Sequence, residues 1–292
     1  MRNLKDILEG IMDRGNRQAV GQVTVQNEIL DFIEKNYRLG GLGTANEKLT
    51  FREERTSDGK YIVDGPNFIV SLMNKELDSL TNGMFVWGSV RFFDCAFGKI
   101  KSLEGSPLKC VGFACNNCNN LITLEGAPQE CDNFTCSRCE SLKSLKGSPQ
   151  HCWQYGCIGC ISLTSLEGGP QTTRETFDCS GCHKLKNLKG APYKVGYSPM
   201  MTDGAFNCDN CKGLVSLEGA PEYCLMFDCS ECPKLKSLKG APKKVKYNFD
   251  CDACKNLVDI SDGPECETFS CKNCKNLMDV SPILDKCKKL DY

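Results

Sequence analysis

The sequence predicts an α/β-type solenoid of short parallel strands and few helices, preceded by a small α+β domain. The first observation is a frame, Phe-x-Cys-x-x-Cys-x-x-Leu-x-Ser-Leu-x-Gly-x-Pro, that recurs from about residue 93 onwards. The second is that residues 1–66 lack this frame. Self-similarity at a fixed period marks architectures in which each coil buries its apolar face against its neighbours. We therefore expect an N-terminal domain over 1–66 and a solenoid over 67–292.

The first cysteine of the frame sets the period of the solenoid. The first cysteines of successive copies are 20 to 22 residues apart, except for one interval of 29 residues. These cysteines are Cys95, Cys115, Cys136, Cys157, Cys179, Cys208, Cys229, Cys251 and Cys271. An interval of 20 to 22 residues holds a strand and a tight turn but no full helix. With a degenerate copy over 68–83 and an amphipathic segment over 283–290 as caps, we expect nine to ten coils.

The N-terminal domain is expected to contain two helices and a hairpin. Apolar residues at 4, 7, 8, 11 and 12 predict a first helix, and the same spacing predicts a second over 25–37. Segments 49–54 and 60–63 flank Ser57-Asp58-Gly59 and are typical of a hairpin. Gly65 and Pro66 then mark the domain boundary.

Composition excludes several classes of partner. The net charge of −1, with both signs mixed along the chain, predicts no nucleic acid or membrane partner. No signal peptide is indicated at the N-terminus. The 23 cysteines are an odd number and are expected to be thiols of a reducing compartment rather than disulfides.

Eight Cys-x-x-Cys pairs, from Cys115/Cys118 to Cys271/Cys274, raise the alternative of zinc binding or thiol redox chemistry. Their spacing follows the structural period, and Gly98 replaces the second cysteine in the first copy. Sulfurs around zinc lie about 3.8 Å apart, whereas coils repeat at about 4.8 Å. We therefore expect a packing role for the thiols, with no metal and no cofactor.

Catalytic constellations are not evident in the sequence. His151 and His183 lie in different repeats at unrelated frame positions, and no Ser/His/acid set or phosphate loop accompanies them. We expect no catalytic residues and a protein that is not an enzyme.

The residues beside the first cysteine of each copy are expected to face outward from the sheet. They become acidic toward the C-terminus, at Asp178, Asp209, Asp228, Asp250 and Asp252. One interpretation is a solvated face, and the other is a docking surface for a basic partner.

Bulky residues interrupt this outward pattern and give a candidate contact cluster. Aromatic side chains and methionine supply much of the binding energy at interfaces. The cluster consists of Trp153, Ile158, Leu225 and Met226, together with Tyr197, Met200 and Met201 of the segment inserted in the long step. A protein partner is therefore expected.

The frame resembles the leucine-rich repeat, L-x-L-x-x-N/C-x-L, with Phe and Cys in the first two apolar positions and the second Cys at the Asn/Cys position. The resemblance covers about three quarters of the chain and predicts a leucine-rich-repeat solenoid. With turns such as Leu-Glu-Gly-Ala-Pro, the repeat is similar to leucine-rich-repeat proteins of tailed bacteriophages. That resemblance implies a non-enzymatic protein-binding scaffold, without fixing its oligomeric state.

The first ten residues are similar to capsid-targeting peptides of T-even-type phages. The processing protease of that family cuts after an apolar-x-Glu triplet, which Ile7-Leu8-Glu9 fits, with Gly10 following. An ordinary amphipathic helix explains the same residues. The resemblance implies a protein that is associated with the virion, or that acts on a host protein such as a defence component in the host cytoplasm.

Overall fold

The computed structural model describes residues 17–41, 48–196 and 204–292. It begins with helix α1 (Arg17–Asn36), where the sequence predicted a helix over 25–37. Ile29, Leu30 and Ile33 lie on one face and are buried, as an apolar spacing of three and four residues requires. The predicted helix around residues 4–12 and the candidate processing residues Ile7, Glu9 and Gly10 lie outside the described residues.

Three strands follow the helix: β1 (Tyr37–Gly41), β2 (Thr50–Arg55) and β3 (Tyr61–Leu72). Strands β1 and β2 both pair antiparallel with β3. The antiparallel pair β2–β3 lies where the sequence predicted a hairpin. Gly65 and Pro66, the proposed domain boundary, lie within β3, which pairs parallel with the next strand on both sides of them, with register shifts between Val63 and Gly65 and between Gly65 and Ile69. The division of the chain at residue 66 stays a prediction.

The rest of the chain forms a parallel β-solenoid. Eleven strands of the main path, from β3 to β16, are hydrogen-bonded side by side in chain order. The remaining strands are β4 (Phe85–Asp94), β5 (Lys109–Ala114), β6 (Glu130–Thr135), β7 (His151–Gly156), β8 (Thr172–Asp178), β9 (Lys194–Val195), β10 (Ala205–Asn207), β11 (Tyr223–Cys224), β12 (Met226–Asp228), β13 (Lys244–Val245), β14 (Asn248–Asp250), β15 (Cys266–Ser270) and β16 (Cys287–Asp291). In the described part of the chain, α1 is the only α-helix.

The solenoid has about eleven turns rather than nine to ten, because both predicted caps form strands of the same sheet. The degenerate copy over 68–83 begins within β3. At the other end, a short 3-10 helix (Ser281–Ile283) leads into β16, which pairs parallel with β15. The chain was expected to form a cap there, but it adds another strand to the sheet instead.

A column of stacked aromatic rings forms the centre of the solenoid. Rings from Phe93 to Phe269, one per coil, stack with centroids 5.1–5.6 Å apart and planes within 16° of parallel. The cysteine and leucine columns of the frame pack around these rings in one buried cluster that extends from Ile29 to Ile283. Each coil therefore packs its apolar side chains against those of its two neighbours.

The glycine of the frame allows the coils to approach closely at the turn. Gly190 has a φ of +88°, and a Cβ at this residue would lie 2.3 Å from the backbone nitrogen of Glu167 in the preceding coil. A side chain therefore fits neither the backbone conformation nor the space.

Within the described residues, no helix is long and apolar enough to span a membrane.

Candidate functional site

The strands of the solenoid present one continuous outward surface. In β8, Phe177 and the following Cys179 point inward and are fully buried, while Asp178 between them is only half-buried. This alternation is the period of two of a β-strand. We call the outward side chains of strands β4 to β15, with the residue that follows the first cysteine of each coil, the strand face.

The middle of the strand face contains a shallow depression. Gly156 has no side chain, and the nearest atom to a Cβ there would be the Thr135 hydroxyl at 3.4 Å. A groove of about 300 Å³ surrounds this glycine, and its lining includes Ser137, Gln154, Ile158 and Thr176. The depression is large enough to accept a side chain of a partner molecule.

Two of the expected contact residues are exposed near this depression. Ile158, in the groove lining, is 41% exposed, and Trp153, next to Gln154, is 43% exposed. The guanidinium of Arg174 in the next coil lies 5.6 Å from the centre of the Trp153 ring. That contact holds an aromatic side chain at the surface of the solenoid. The role of both residues in binding stays a prediction.

The expectation that Leu225 belongs to the exposed cluster is wrong. Its side chain is 3% exposed, although it occupies the same frame position as Trp153. The cause is the base of the inserted segment, where a Cβ on Gly196 would lie only 3.0 Å from Leu225 Cγ. The neighbouring Met226 is half-buried and donates its backbone N–H to Gly204 O. Tyr197, Met200 and Met201 lie outside the described residues.

The acidic side chains form two columns in the C-terminal half of the strand face. Asp178, Asn207, Asp228 and Asp250 are register partners on successive strands of one column. Asp209 and Asp252 lie in the second column, after the first cysteine. All five carboxylates are half-buried.

These carboxylates accept hydrogen bonds from the turns that follow the strands, either in their own coil or in an adjacent one. Asp228 accepts the N–H of Ser230 at 2.8 Å, and Asp250 accepts the N–H of Asp252 at 2.8 Å. Asp209 accepts a hydrogen bond from Ser180 in the preceding coil. The aspartates therefore have a structural role in the turns in addition to their charge.

The electrostatics of the first column favour the approach of a positive charge. Burial raises the pKa of Asp228, and the negative charges of Asp209 and Asp178 raise it further. Burial also raises the pKa of Asp250 to about 6. Repulsion from Asp228 and Asp252 adds to this shift, and the hydrogen bond from the Asp252 N–H and the charge of Lys272 oppose it. A cationic group placed over this column would relieve the repulsion among the carboxylates.

The Cys-x-x-Cys pairs connect adjacent coils. In all eight pairs, the second thiol donates to the backbone carbonyl of the first cysteine in the preceding coil, at 3.1–3.4 Å. In the first copy, Gly98 stands in place of the second cysteine. A side chain would be too close to the backbone there, because its Cβ would lie 2.9 Å from the carbonyl oxygen of Cys95 in the same coil. Burial raises the pKa of first cysteines such as Cys208 and Cys229, which disfavours their thiolates, whereas the hydrogen bonds to the preceding coil lower the pKa of the second cysteines Cys118, Cys160 and Cys274.

A third cysteine column borders the strands on their N-terminal side. Cys110 and Cys131 are register partners with sulfurs 3.6 Å apart. Cys266 and Cys287 are also register partners on adjacent parallel strands, and Cys287 belongs to the segment that the sequence predicted as a C-terminal cap. Among the described residues, no group of three or more His, Cys, Asp or Glu side chains is arranged to hold a metal ion.

The two histidines each contact the following coil. His151 Nδ1 lies 2.9 Å from Thr172 Oγ1, and His183 Nδ1 lies 3.2 Å from Asn210 O. These contacts give both rings a structural partner.

Sequence reasoning missed one exposed aromatic residue beside the strand face. Phe97 is 66% exposed and has a φ of +61°, at a frame position where most other coils have asparagine or glycine and none has another aromatic residue. A comparison of the residues in that column, Asn117 and Gly159 among them, would have revealed it.

No protein-family model, no curated protein and no solved structure matches this chain.

Proposed function

We propose that this chain is a non-enzymatic scaffold of the leucine-rich-repeat type that binds another protein through its strand face. The observation that carries the proposal is the composition of that face. An open depression at Gly156, with Ile158 in its wall, lies four strands away from Asp250 in the acidic column. Proteins of this architecture bind partners through side chains that vary on a constant frame.

The leucine-rich-repeat classification is supported by the ladder of second cysteines. In the family frame this position holds asparagine or cysteine. Here the cysteine thiol at this position donates to the backbone of the preceding coil in every complete copy. A buried side-chain donor at a constant frame position therefore links each coil to the one before it, and the thiol itself has a hydrogen-bond partner in the core.

The partner that fits the strand face is a protein segment with basic and apolar side chains. Lysine or arginine side chains would pair with Asp228 and Asp250, while an apolar side chain would enter the depression beside Ile158. We propose a phage-encoded protein, located in the virion or in the host cytoplasm, whose partner is a virion protein or a host protein. Neither nucleic acid nor membrane belongs to this proposal.

The alternative function, zinc binding or thiol redox chemistry, would use the same cysteines. The hydrogen bonds of the second thiols and the burial of the first ones support a structural role instead. Elemental analysis of freshly purified protein separates the two possibilities. One zinc ion per Cys-x-x-Cys pair would refute the scaffold assignment for these residues.

Affinity capture with matched variants tests the proposed function. The intact chain, Trp153→Ser with Ile158→Ser, and Ile122→Ser would each be exposed to host lysate and to disassembled virions. Ile122 is also exposed but lies outside the strand face, and it therefore controls for the loss of a surface apolar group. A protein captured by the intact chain and by Ile122→Ser, but not by the double variant, supports the proposal. Identical capture by all three variants contradicts it.

A further inference from the structure

A second charged surface of the solenoid lies after the cysteine pairs, on the segment that leaves the strand face. It contains lysines in each coil from residue 179 onwards, and we call them the lysine face. They are Lys184, Lys186, Lys212, Lys234, Lys236, Lys255 and Lys275. All seven are exposed, and within the described residues none of their ammonium groups forms an ion pair or a hydrogen bond.

In the first coils, the lysines that flank the corresponding apolar residue form ion pairs with acidic residues of the preceding coil. Lys99 and Lys101 flank Ile100 as Lys184 and Lys186 flank Leu185. The ammonium of Lys99 lies 2.6 Å from Glu76, and that of Lys101 lies 3.2 Å from Asp78. Both acids flank the corresponding leucine of the preceding coil.

The lysine face lacks such acids in the adjacent coils. Around Leu185, the corresponding positions are Ser162 and Thr164 in the preceding coil and Gly213 and Val215 in the following one. Because none of these side chains is acidic, the two lysines remain available to a partner.

Two carboxylates near the lysine face accept hydrogen bonds from backbone N–H groups. Asp259 accepts the N–H of Ser261 at 2.9 Å, and Asp279 accepts the N–H of Ser281 at 2.8 Å. These backbone hydrogen bonds lower the pKa of both carboxyl groups. Glu231 is an exposed carboxylate between the cysteines of its coil, and it is outnumbered by the lysines around it.

Aliphatic side chains lie among the lysines at the same frame position as Lys186 and Lys236. Val215 and Val258 alternate with these two lysines along the column, and each is about half exposed. Coils repeat at about 4.8 Å, so the lysine pairs of alternate coils lie about 10 Å apart with a valine between them.

We propose that the lysine face binds an acidic, partly apolar segment of a partner protein. Carboxylates would pair with the four lysines that flank Leu185 and Leu235, and apolar side chains would cover the two valines. The face has no aromatic side chains on which nucleobases could stack, which favours a peptide over single-stranded nucleic acid. This surface is separate from the strand face, so the inference does not depend on the function proposed above.

Binding of a short fluorescent peptide of alternating glutamate and leucine to the full chain tests the inference by anisotropy. The variant Lys184→Gln, Lys186→Gln, Lys234→Gln and Lys236→Gln is expected to bind about tenfold more weakly, because four exposed ion pairs are lost. The matched control replaces four lysines that are already ion-paired, Lys99, Lys101, Lys109 and Lys146, and has the same net charge. It is expected to bind within about twofold of the unmodified chain.

Three outcomes would overturn the inference. They are the absence of peptide binding, an equal loss of affinity in both quadruple variants, and tighter binding of a single-stranded oligonucleotide with the same number of charges. Circular dichroism of every variant establishes that the solenoid is intact. Trp153→Ser with Ile158→Ser should leave peptide binding unchanged, which separates this test from that of the strand face.

Discussion

The hydroxyl of Tyr155 lies 2.7 Å from the hydroxyl of Ser148, and both groups are buried in the solenoid. Tyr155 is the one tyrosine in the stacked aromatic column, and Ser148 occupies a position that is alanine in several other coils. Ser148 also donates to Leu145 O at 2.7 Å, so the tyrosine hydroxyl is the donor between the two side chains. The serine therefore satisfies a polar group that the phenylalanine coils do not have.

Replacing Ser148 by alanine is expected to lower the free energy of unfolding by about 1–3 kcal/mol, because the buried Tyr155 hydroxyl would lose its acceptor. Adding Tyr155→Phe should recover most of that loss, since it restores the pair found in other coils. Chemical denaturation of the two single variants and the double variant measures this coupling.

Ser106 provides the matched control for this experiment. It occupies the same frame position in the coil of Phe113, and its buried hydroxyl has no hydrogen-bond partner. Ser106→Ala should therefore leave the stability unchanged or raise it by up to about 1 kcal/mol. Equal destabilisation by Ser106→Ala and Ser148→Ala would contradict the assigned role of Ser148.

Gly190→Ala is expected to destabilise the solenoid far more than Gly59→Ala. Both glycines have φ values above +80°, so both substitutions incur a conformational cost of about 1 kcal/mol. A Cβ on Gly59 meets no atom within 4 Å, whereas on Gly190 it would overlap the backbone of Glu167. Thermal unfolding should show a loss of at least about 3 kcal/mol for Gly190→Ala. Similar melting temperatures for the two variants would show that the coils can separate at this turn.

Asp250→Asn is expected to stabilise the protein at neutral pH. The folded-state pKa of about 6 lies above the ordinary value of 3.8, so this carboxyl stabilises the fold below about pH 4. That contribution is lost as the pH rises through about 6. Because solvent reaches part of the group, we expect a gain of only about 1 kcal/mol at pH 7 and none at pH 4.

Asp259→Asn should show the opposite pH dependence. The hydrogen bond from Ser261 lowers the pKa of Asp259, so its contribution is present above its ordinary pKa and is lost as the solution is acidified. Unfolding measured at pH 4 and pH 7 for both variants compares the two signs. A gain at neutral pH for Asp259→Asn would contradict the hydrogen-bonded role of this carboxylate.

Thiol labelling is expected to distinguish two cysteines from the other 21. Cys266 and Cys287 are half-exposed, whereas all the others are buried. Burial raises the pKa of Cys266 to about 12, so even these two thiols should react slowly near neutral pH. Mass spectrometry of native protein treated with iodoacetamide should locate the first modifications at these residues. Rapid labelling within the Cys-x-x-Cys pairs would favour the thiol-redox alternative.

The sequence was sufficient to predict the repeating strand because the alternation of Phe177, Asp178 and Cys179 defines which side chains point inward. The sequence could not predict that Trp153 is exposed and Leu225 is buried, because the two residues share a frame position. Their different exposure depends on a contact with Gly196 at the base of an insertion in another coil. A frame shows which face a residue lies on, but not what the adjacent coil places over it.

The C-terminal end illustrates a second limit of the sequence pattern. Beyond Ser281 the turn signature of the frame is lost, and the remaining apolar residues also fit a short amphipathic cap. The pairing of Cys287 with Cys266 makes this segment another strand. Similarly, the lysines of the lysine face were visible in the sequence, but their lack of partners depends on the acids that neighbouring coils do or do not supply.

The ring of Phe206 stacks on that of Phe177 at 5.3 Å although the two are 29 residues apart in sequence, and the shorter steps give the same separation. The inserted segment therefore leaves the pitch of the rod unchanged. It follows that the four strand steps between Gly156 and Asp250 act as a molecular ruler of about 20 Å. Gain or loss of a whole coil would reset that length in increments of about 4.8 Å, so the chain could evolve to fit partners of different size without redesign of its core.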